Sequence, residues 1–355
     1  MGEGQAGLAA TIAATYATWE EWPEGDAALL ERERSMYGTA DPLEIAGLIT
    51  ALCADELGAG VAADLFYASS QGGVCGLVLA DGRRVVVKEH PPTWNRPTLA
   101  AVAHVQRCLS GRGFPCPRPL LGPTQLGRGC ATVEELVELG SAGDGHRPAV
   151  RRALAHTLAR LVRSARDLRD TPGLRGGMLT MLPPGALWPT PHSPIFDLAA
   201  SAEGAGWIDR LATQARDTLA RSSGAVVVGH TDWGVQNSRF VGHTLSVVYD
   251  WDSLARDRET TIVAQAAANF PFNWSLPEPP PGPRAGEARA FIAEYEAVRG
   301  TPFTAGEWGE MAAAATYALA YAARLEHSLQ PQATDFAPGG GRARLAHYGD
   351  AFLRR

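Results

Sequence analysis

Residues 226–252 hold His230, Asp232, Asn237, Asp250 and Asp252, five groups within 23 residues. Carboxylates and a carboxamide are hard oxygen donors, the kind that hold Mg²⁺ against a substrate phosphate. A carboxylate not used by the metal can take a hydroxyl proton and orient that hydroxyl for attack. Taken singly, each residue has a plainer explanation. An Asp in a loop is usually a turn former or a cap, and H-x-D or D-x-D alone is weak evidence. The order carries the reading: apolar strand, H-x-D-x-x-x-x-N, hairpin, D-x-D.

The surrounding elements explain how these groups meet. Residues 226–228 read as a short buried strand closed by Gly229. Residues 238–241 and 245–249 are apolar runs on either side of Gly242-His243, a hairpin pattern. A hairpin returns the chain to where it left. Asp250 is therefore expected beside Asn237, despite the 12 residues between them, with Asp232 a turn away.

This stretch resembles the catalytic segment of the aminoglycoside phosphotransferase family, which shares the protein-kinase fold. Thr231, Trp233 and Gln236 are departures from the common family wording. The resemblance implies an α+β, bilobal protein-kinase-like fold. Its N-lobe is a small antiparallel sheet with extra N-terminal helices, and its C-lobe is mostly helical. The implied division is 1–60 for the helical extension, 61–138 for the nucleotide-binding N-lobe and 139–355 for the catalytic and acceptor-binding C-lobe. It implies Asp232 as the catalytic base. Asn237 and Asp250 are then ligands of Mg²⁺, Asp252 supports the metal site, and His230 braces the loop.

Lys88 is the sole lysine among 32 basic residues, the other 31 being arginine. A lysine kept against that bias marks a place where a planar guanidinium does not fit; a single chance survivor is the plainer explanation. Its position decides. Asp81-Gly82 separates two apolar strands as a hairpin turn, and the far strand ends in Val85-Val86-Val87-Lys88. A lysine at the inner end of the third strand matches the kinase pattern, where it grips the α- and β-phosphates. Before that hairpin, the Ser69-Ser70-Gln71-Gly72-Gly73 connection can fold its backbone N–H groups over phosphates. Most such turns are only turns. In protein kinases the lysine pairs with a Glu on the next helix. Here residues 98–109 read as that helix, yet no Asp or Glu occurs between Glu89 and Glu134. His104 and Gln106 are the polar candidates on it. The partner comes either from the N-terminal helices or from a neutral acceptor. Residues 134–140 read as the hinge between lobes, whose backbone at Glu135 and Val137 is implied to meet the adenine of ATP or GTP.

Composition bounds the rest. The chain has 355 residues, 45% hydrophobic and 20% charged, an ordinary globular balance. A net charge of −6 argues against nucleic acid as a partner. No apolar run reaches the ~18 residues of a membrane span, and no basic leader opens the chain. Five unclustered cysteines without C-x-x-C point to reduced thiols and a cytoplasmic location. Helical spacing appears at 9–22, 26–36, 42–57, 149–168, 201–221, 261–269, 285–298 and 307–329. The first ~40 residues exceed what the resemblance requires, so they read as a dimer arm, a brace or a tail. Monomer and homodimer both stay open. Residues 270–284 (FPFNWSLPEPPPGPR) are an irregular segment, either a lid or a long loop.

The expected partner is a small hydroxylated acceptor. Residues 1–139 hold 17 acidic and 10 basic residues, whereas 140–355 hold 21 and 22. That distribution tilts against a strongly cationic acceptor. Six tryptophans lie beyond residue 180 and permit stacking on a ring, although most tryptophans are core. Three functions stay in view. The first is an antibiotic kinase, acting on an aminoglycoside-type compound or a nucleoside antibiotic such as a capuramycin type. The second is a metabolic kinase for choline, homoserine or a sugar. The third is a non-catalytic kinase-like binding protein, which the intact set of Lys88, Asp232, Asn237 and Asp250 argues against. Replacing the sole lysine tests the nucleotide reading. Lys88→Arg is expected to weaken nucleotide use by more than a swap of equal charges suggests. Wild-type turnover at low ATP or GTP in that variant would reduce Lys88 to a chance survivor.

Overall fold

A computed structural model describes residues 2–19, 25–69, 71–191, 193, 195–273, 276 and 280–354. The chain divides into two compact units, Met1–Ser110 with Pro117–Glu138, and Gly111–Cys116 with Leu139–Arg355.

The first unit opens with helices α1 (Glu3–Tyr16), α2 (Gly25–Tyr37) and α3 (Pro42–Leu57). Strands β1 (Val61–Ser69), β2 (Gly73–Leu79) and β3 (Arg84–His90) follow, then helix α4 (Arg96–Gly111) and strands β4 (Pro119–Leu126) and β5 (Gly129–Glu135). The antiparallel sheet has the order β1-β2-β3-β5-β4. Helix α3 keeps its expected bounds because its ends are chemically marked. Asp41 accepts hydrogen bonds from the Leu43 and Glu44 N–H groups, Pro42 opens the first turn, and Gly58 closes it in the left-handed region.

Helix α1 begins at Glu3 rather than Ala9 and ends before the predicted Trp22. Its glycines explain the early start: a Cβ on Gly4 would strike the Val61 carbonyl, so the helix sits tightly on β1. Leu8, Ile12, Ile45, Ile49 and Cys53 then pack against Leu77, Val85, Val87 and Val133. The N-terminal helices thus cover one face of the sheet. Side chains alternate along a strand. Val85, Val87 and Glu89 share the covered face, while Val86 and Lys88 point to the other.

Strand β4 escapes a pattern reading. It lies at the sheet edge, carries Pro119 and Pro123, and pairs with β5 through two register shifts. An edge strand tolerates missing donors that a central strand does not. Strand β5 runs to Glu135, so Glu134 and Glu135 lie in the sheet and the irregular segment starts at Leu136.

The second unit contains helices α5 (Pro148–Ser164) and α6 (Gly206–Leu219), then strands β6 (Val226–His230), β7 (Ser238–Val241), β8 (Thr244–Val248) and β9 (Leu254–Arg258). Helices α7 (Glu259–Asn269), α8 (Ala285–Arg299), α9 (Ala305–Leu329) and α10 (Gly341–Tyr348) complete it. Leu154, Leu158 and Leu161 form the buried stripe of α5. Helix α7 is buried from Glu259 to Ala268, which explains its near-continuous small and apolar sequence. Helix α6 starts at Gly206, because residues 201–205 form turns rather than a first helical turn. Strand β9 (LARDR) pairs with β6 although its sequence shows no apolar alternation. In residues 270–284, positions 274–275 and 277–279 lie outside the described residues, so neither the lid nor the loop reading of that segment is settled. None of the five cysteines is in a disulfide. Among the described residues, no helix is long and apolar enough to cross a membrane.

Candidate active site

In the second unit, β6 delivers His230 to the start of an irregular loop. Gly229 is needed there, since a Cβ would press on Ile262 of α7. His230 is 1% exposed. Its Nε2–H donates to the Tyr249 carbonyl at 3.0 Å, and its Nδ1 accepts the Asp232 N–H at 3.3 Å. Those partners define the neutral Nε2–H tautomer. The ring edges of Trp233 and Trp251 flank it at 5.8 and 6.0 Å. Both tryptophans are core residues, with indole N–H groups bonded to the Leu154 and Val248 carbonyls. Thr231 ties the loop to Ser253 through its backbone N–H and its hydroxyl, at 2.9 and 2.8 Å.

Asp232 is exposed at the tip of this loop. The Asn237 amide donates to its carboxylate at 2.8 Å and to its carbonyl at 2.9 Å. That leaves the Asn237 amide oxygen directed away from Asp232. The β7–β8 hairpin turns at Gly242-His243, with Val241 opposite Thr244 and Gly242 at φ +60°. It brings the chain back as expected, for the Tyr249 N–H donates to the Asn237 carbonyl at 2.8 Å. Asp250 follows immediately. Its backbone is left-handed, the one positive φ at a non-glycine among the described residues, at 57°. Ser253 Oγ donates to its carboxylate at 2.7 Å. Such a conformation costs an L-residue about 1–2 kcal/mol and is held here by the flanking turn.

Sequence reasoning missed Arg175. It lies on the stretch that runs beside β9, with the Arg256 N–H donating to its carbonyl at 2.8 Å. Burial lowers its guanidinium from the usual value, while the charges of Asp252 and Asp250 act in the opposite sense. Asp252 and Asp250 thus share a cationic neighbour 75 or more positions upstream, which no local motif signals. Among the described residues, no group of three or more His, Cys, Asp or Glu side chains forms a metal cage. The Asn237 and Asp250 oxygens are nevertheless hard donors. They suit an ion that takes one or two protein ligands and completes its shell with phosphates and water, as Mg²⁺ does.

In the first unit, Lys88 is 9% exposed and lies opposite Val74 on β2 and Thr132 on β5. Gln106 of α4 donates to Glu134 at 2.8 Å and to the Pro117 carbonyl at 3.0 Å, and His104 is exposed beside Cys108. Ser69 closes β1 and is 3% exposed, its hydroxyl donating to Glu33 at 2.6 Å. Gln71 and Gly72 form a bend before β2, and Ser70 lies outside the described residues. The Glu135 side chain accepts from Arg118 at 2.9 Å. The backbone N–H groups of Glu135 and Leu136 are bonded to the Arg118 and Arg84 carbonyls, and Val137 is half-buried just beyond.

The sequence model of the APH phosphotransferase enzyme family matches residues 77–301. The chain belongs to that family. The match runs from β2 through α8 and takes in Lys88 and the whole 230–252 segment, while Ser69–Gly72 precede it. No curated protein matches the chain closely in sequence. Solved structures share its kinase-like fold. An amicoumacin kinase in complex with AMP-PNP and Ca²⁺ aligns at TM-score 0.55 and 12% identity, over 82% of this chain and 87% of that one. A spectinomycin phosphotransferase aligns at TM-score 0.53 and 11% identity, over 86% and 93%. A choline/ethanolamine kinase family protein from Mesorhizobium loti aligns at TM-score 0.52 and 14% identity, over 88% and 95%. As a phosphotransferase, the chain carries the small antiparallel sheet and the mainly helical second unit of the bilobal protein-kinase-like fold.

One acidic residue of this phosphotransferase next to Lys88 behaves unusually. Glu89 is 2% exposed, accepts from the Cys75 thiol at 3.4 Å, and is pushed up to about 8 by burial. Its ordinary value is 4.5. Between those values the folded protein keeps a proton that the unfolded chain has released. Stability therefore falls as pH rises through that window, by up to about 1.4 kcal/mol per pH unit. Glu89→Gln mimics the neutral carboxyl and removes the dependence. Its melting temperature is expected to gain on the wild type steadily from pH 5 to pH 8. Parallel melting curves across that range would contradict a buried neutral Glu89.

Proposed function

We propose that this phosphotransferase moves the γ-phosphate of ATP or GTP to a hydroxyl of an antibiotic and so inactivates it. The observation that carries the transfer reading is Asp232, an exposed carboxylate oriented by the Asn237 amide at 2.8 Å on a loop that His230 fixes. In this reading Asp232 accepts the proton of the acceptor hydroxyl and aims its oxygen at the γ-phosphate. Phosphoryl transfer passes through a loose transition state, so positioning and electrostatics supply most of the rate.

The other residues take binding roles. The Asn237 amide oxygen and the Asp250 carboxylate would hold Mg²⁺, with Asp252 supporting them. That ion, when bound, offsets charge on the nucleotide phosphates. Arg175 balances the carboxylates when the ion is away. Lys88 binds the α- and β-phosphates, and the backbone from Ser69 to Gly72 covers them. Because the Glu135 and Leu136 N–H groups serve the sheet, the adenine edge falls to the segment that contains Val137.

One observation favours an antibiotic acceptor, and a second bears on the charge of the acceptor. The fold neighbours include an amicoumacin kinase and a spectinomycin phosphotransferase. Residues 140–355 lack a marked acid excess, with 21 acidic and 22 basic residues, which tilts away from polycationic acceptors. A panel of antibiotics, choline, homoserine and sugars with labelled nucleotide tests this. Transfer to choline or a sugar alone would move the assignment to a metabolic kinase.

Asp232→Asn keeps the shape while removing the base. The expected loss is roughly 10²–10⁴ in kcat with little change in nucleotide affinity. Were Asp232 only a loop brace, melting temperature would fall while turnover stayed near normal.

A further inference from the structure

In the second unit, a cavity of about 700 Å³ lies between residues 281–284, the N-terminus of α8 and helix α10. Arg344 of α10 lines it and is 5% exposed. Its Nη2 donates to the Ala268 carbonyl at 2.9 Å and to the Pro283 carbonyl at 3.3 Å. Its Nε is buried without a partner, and its Nη1 makes no hydrogen bond among the described residues. The Phe352 and Phe272 rings lie 5.0 and 5.7 Å from the guanidinium carbon. A Cβ on Gly282 would collide with the guanidinium, so only glycine permits this approach. The Gly282 N–H donates to the Gly339 carbonyl at 3.1 Å, which fixes that wall of the cavity.

A buried guanidinium calls for a negative partner. Glu326 favours the charge of Arg344, but its two oxygens accept the Gly341 and Arg342 N–H groups. Glu287, the acid of the cavity wall, is engaged too. One oxygen meets the His146 ring at 2.9 Å, and the other accepts the Arg284 N–H at 2.8 Å. Burial lowers the Arg344 guanidinium to about 10, as expected of a charge held away from water without a counter-ion. Phenyl faces and carbonyls meet part of that charge, but none carries a full negative one. The same wall holds the first turn of α8, the positive end of a 15-residue helix. Arg284 and His347 stand exposed among the lining residues.

We propose that this cavity binds the carboxylate of a small organic acid, with Arg344 as its cationic anchor and the α8 N-terminus beside it. One buried guanidinium matches one negative charge, which favours a carboxylate over a phosphate dianion. Pro281, Pro283, Pro338 and Ala343 give apolar walls of fixed shape for the hydrocarbon part of the acid. No lining residue belongs to the 230–252 segment, and the inference does not rest on the phosphotransfer reading.

Titrations and melting temperatures of the full chain at matched ionic strength test this. Benzoate is the probe, its neutral amide benzamide controls for charge, and inorganic phosphate controls for the type of anion. Benzoate is expected to bind the wild type with a dissociation constant below about 1 mM and to raise its melting temperature. It should bind roughly tenfold tighter than benzamide, the scale of one charged hydrogen bond. Arg344→Met should weaken benzoate by at least the same factor. That variant also loses two carbonyl bonds. If it fails to fold, Ala343→Phe decides, because it fills the cavity, leaves those bonds in place and should cause the same loss. No benzoate binding, equal binding of benzoate and benzamide, or unchanged binding in a folded variant would overturn the proposal. Arg344 would then be a strut between α7 and residues 281–283. Phosphate binding tighter than benzoate would overturn the carboxylate assignment.

Discussion

The loop that carries Asp232 depends on one buried imidazole. His230 bridges two stretches of chain, taking the N–H of Asp232 on one nitrogen and giving a proton to the carbonyl of Tyr249 on the other. A buried polar ring without partners costs several kcal/mol, so an imidazole in this place must satisfy both nitrogens. The observed arrangement of the loop does that. With it fixed, the Asn237 amide reaches Asp232, and the hairpin sets Asp250 next to the Asn237 backbone. The flanking Trp233 and Trp251 are anchored to α5 and β8 by their own indole N–H groups. Rigid aromatic walls thus hold the ring that holds the loop.

The same logic explains the unusual N-terminus. A five-stranded antiparallel sheet needs one face buried, and Val85, Val87, Leu77 and Val133 offer that face to α1 and α3. Polar groups that follow the apolar face inward must then find partners there, Glu33 in the Tyr67 and Ser69 hydroxyls and Glu89 in the Cys75 thiol. The cover over the sheet and the polar cluster beneath the first turn are two results of one packing decision.

Much of this was legible in the sequence where the signal is local. Asp81-Gly82 and Gly242-His243 mark their hairpins because turn chemistry is confined to two residues, and Asp41, Pro42 and Gly58 mark α3 because caps are local too. The Asp232–Asn237 contact spans five positions and could be read from spacing. Strand β4 could not, since its edge position excuses two prolines, nor β9, whose charged residues hide its pairing with β6. Arg175 and Glu33 were invisible for a different reason. Each reaches its partners across a long stretch, 36 positions in the case of Glu33 and Ser69, where periodicity carries no information. The glycines of α1 misled in the opposite direction, because a residue that weakens an isolated helix here permits its close approach to β1.

Nucleotide-bound crystals grown with Mn²⁺ offer the most direct test of the central claim, that the loop and hairpin build one oxygen site for a metal nucleotide. Anomalous scattering should place the ion against the Asn237 amide oxygen and the Asp250 carboxylate, at about 2.0–2.2 Å or through one water. An ion bound to the nucleotide elsewhere, with Asp250 turned away from the phosphates, would contradict it.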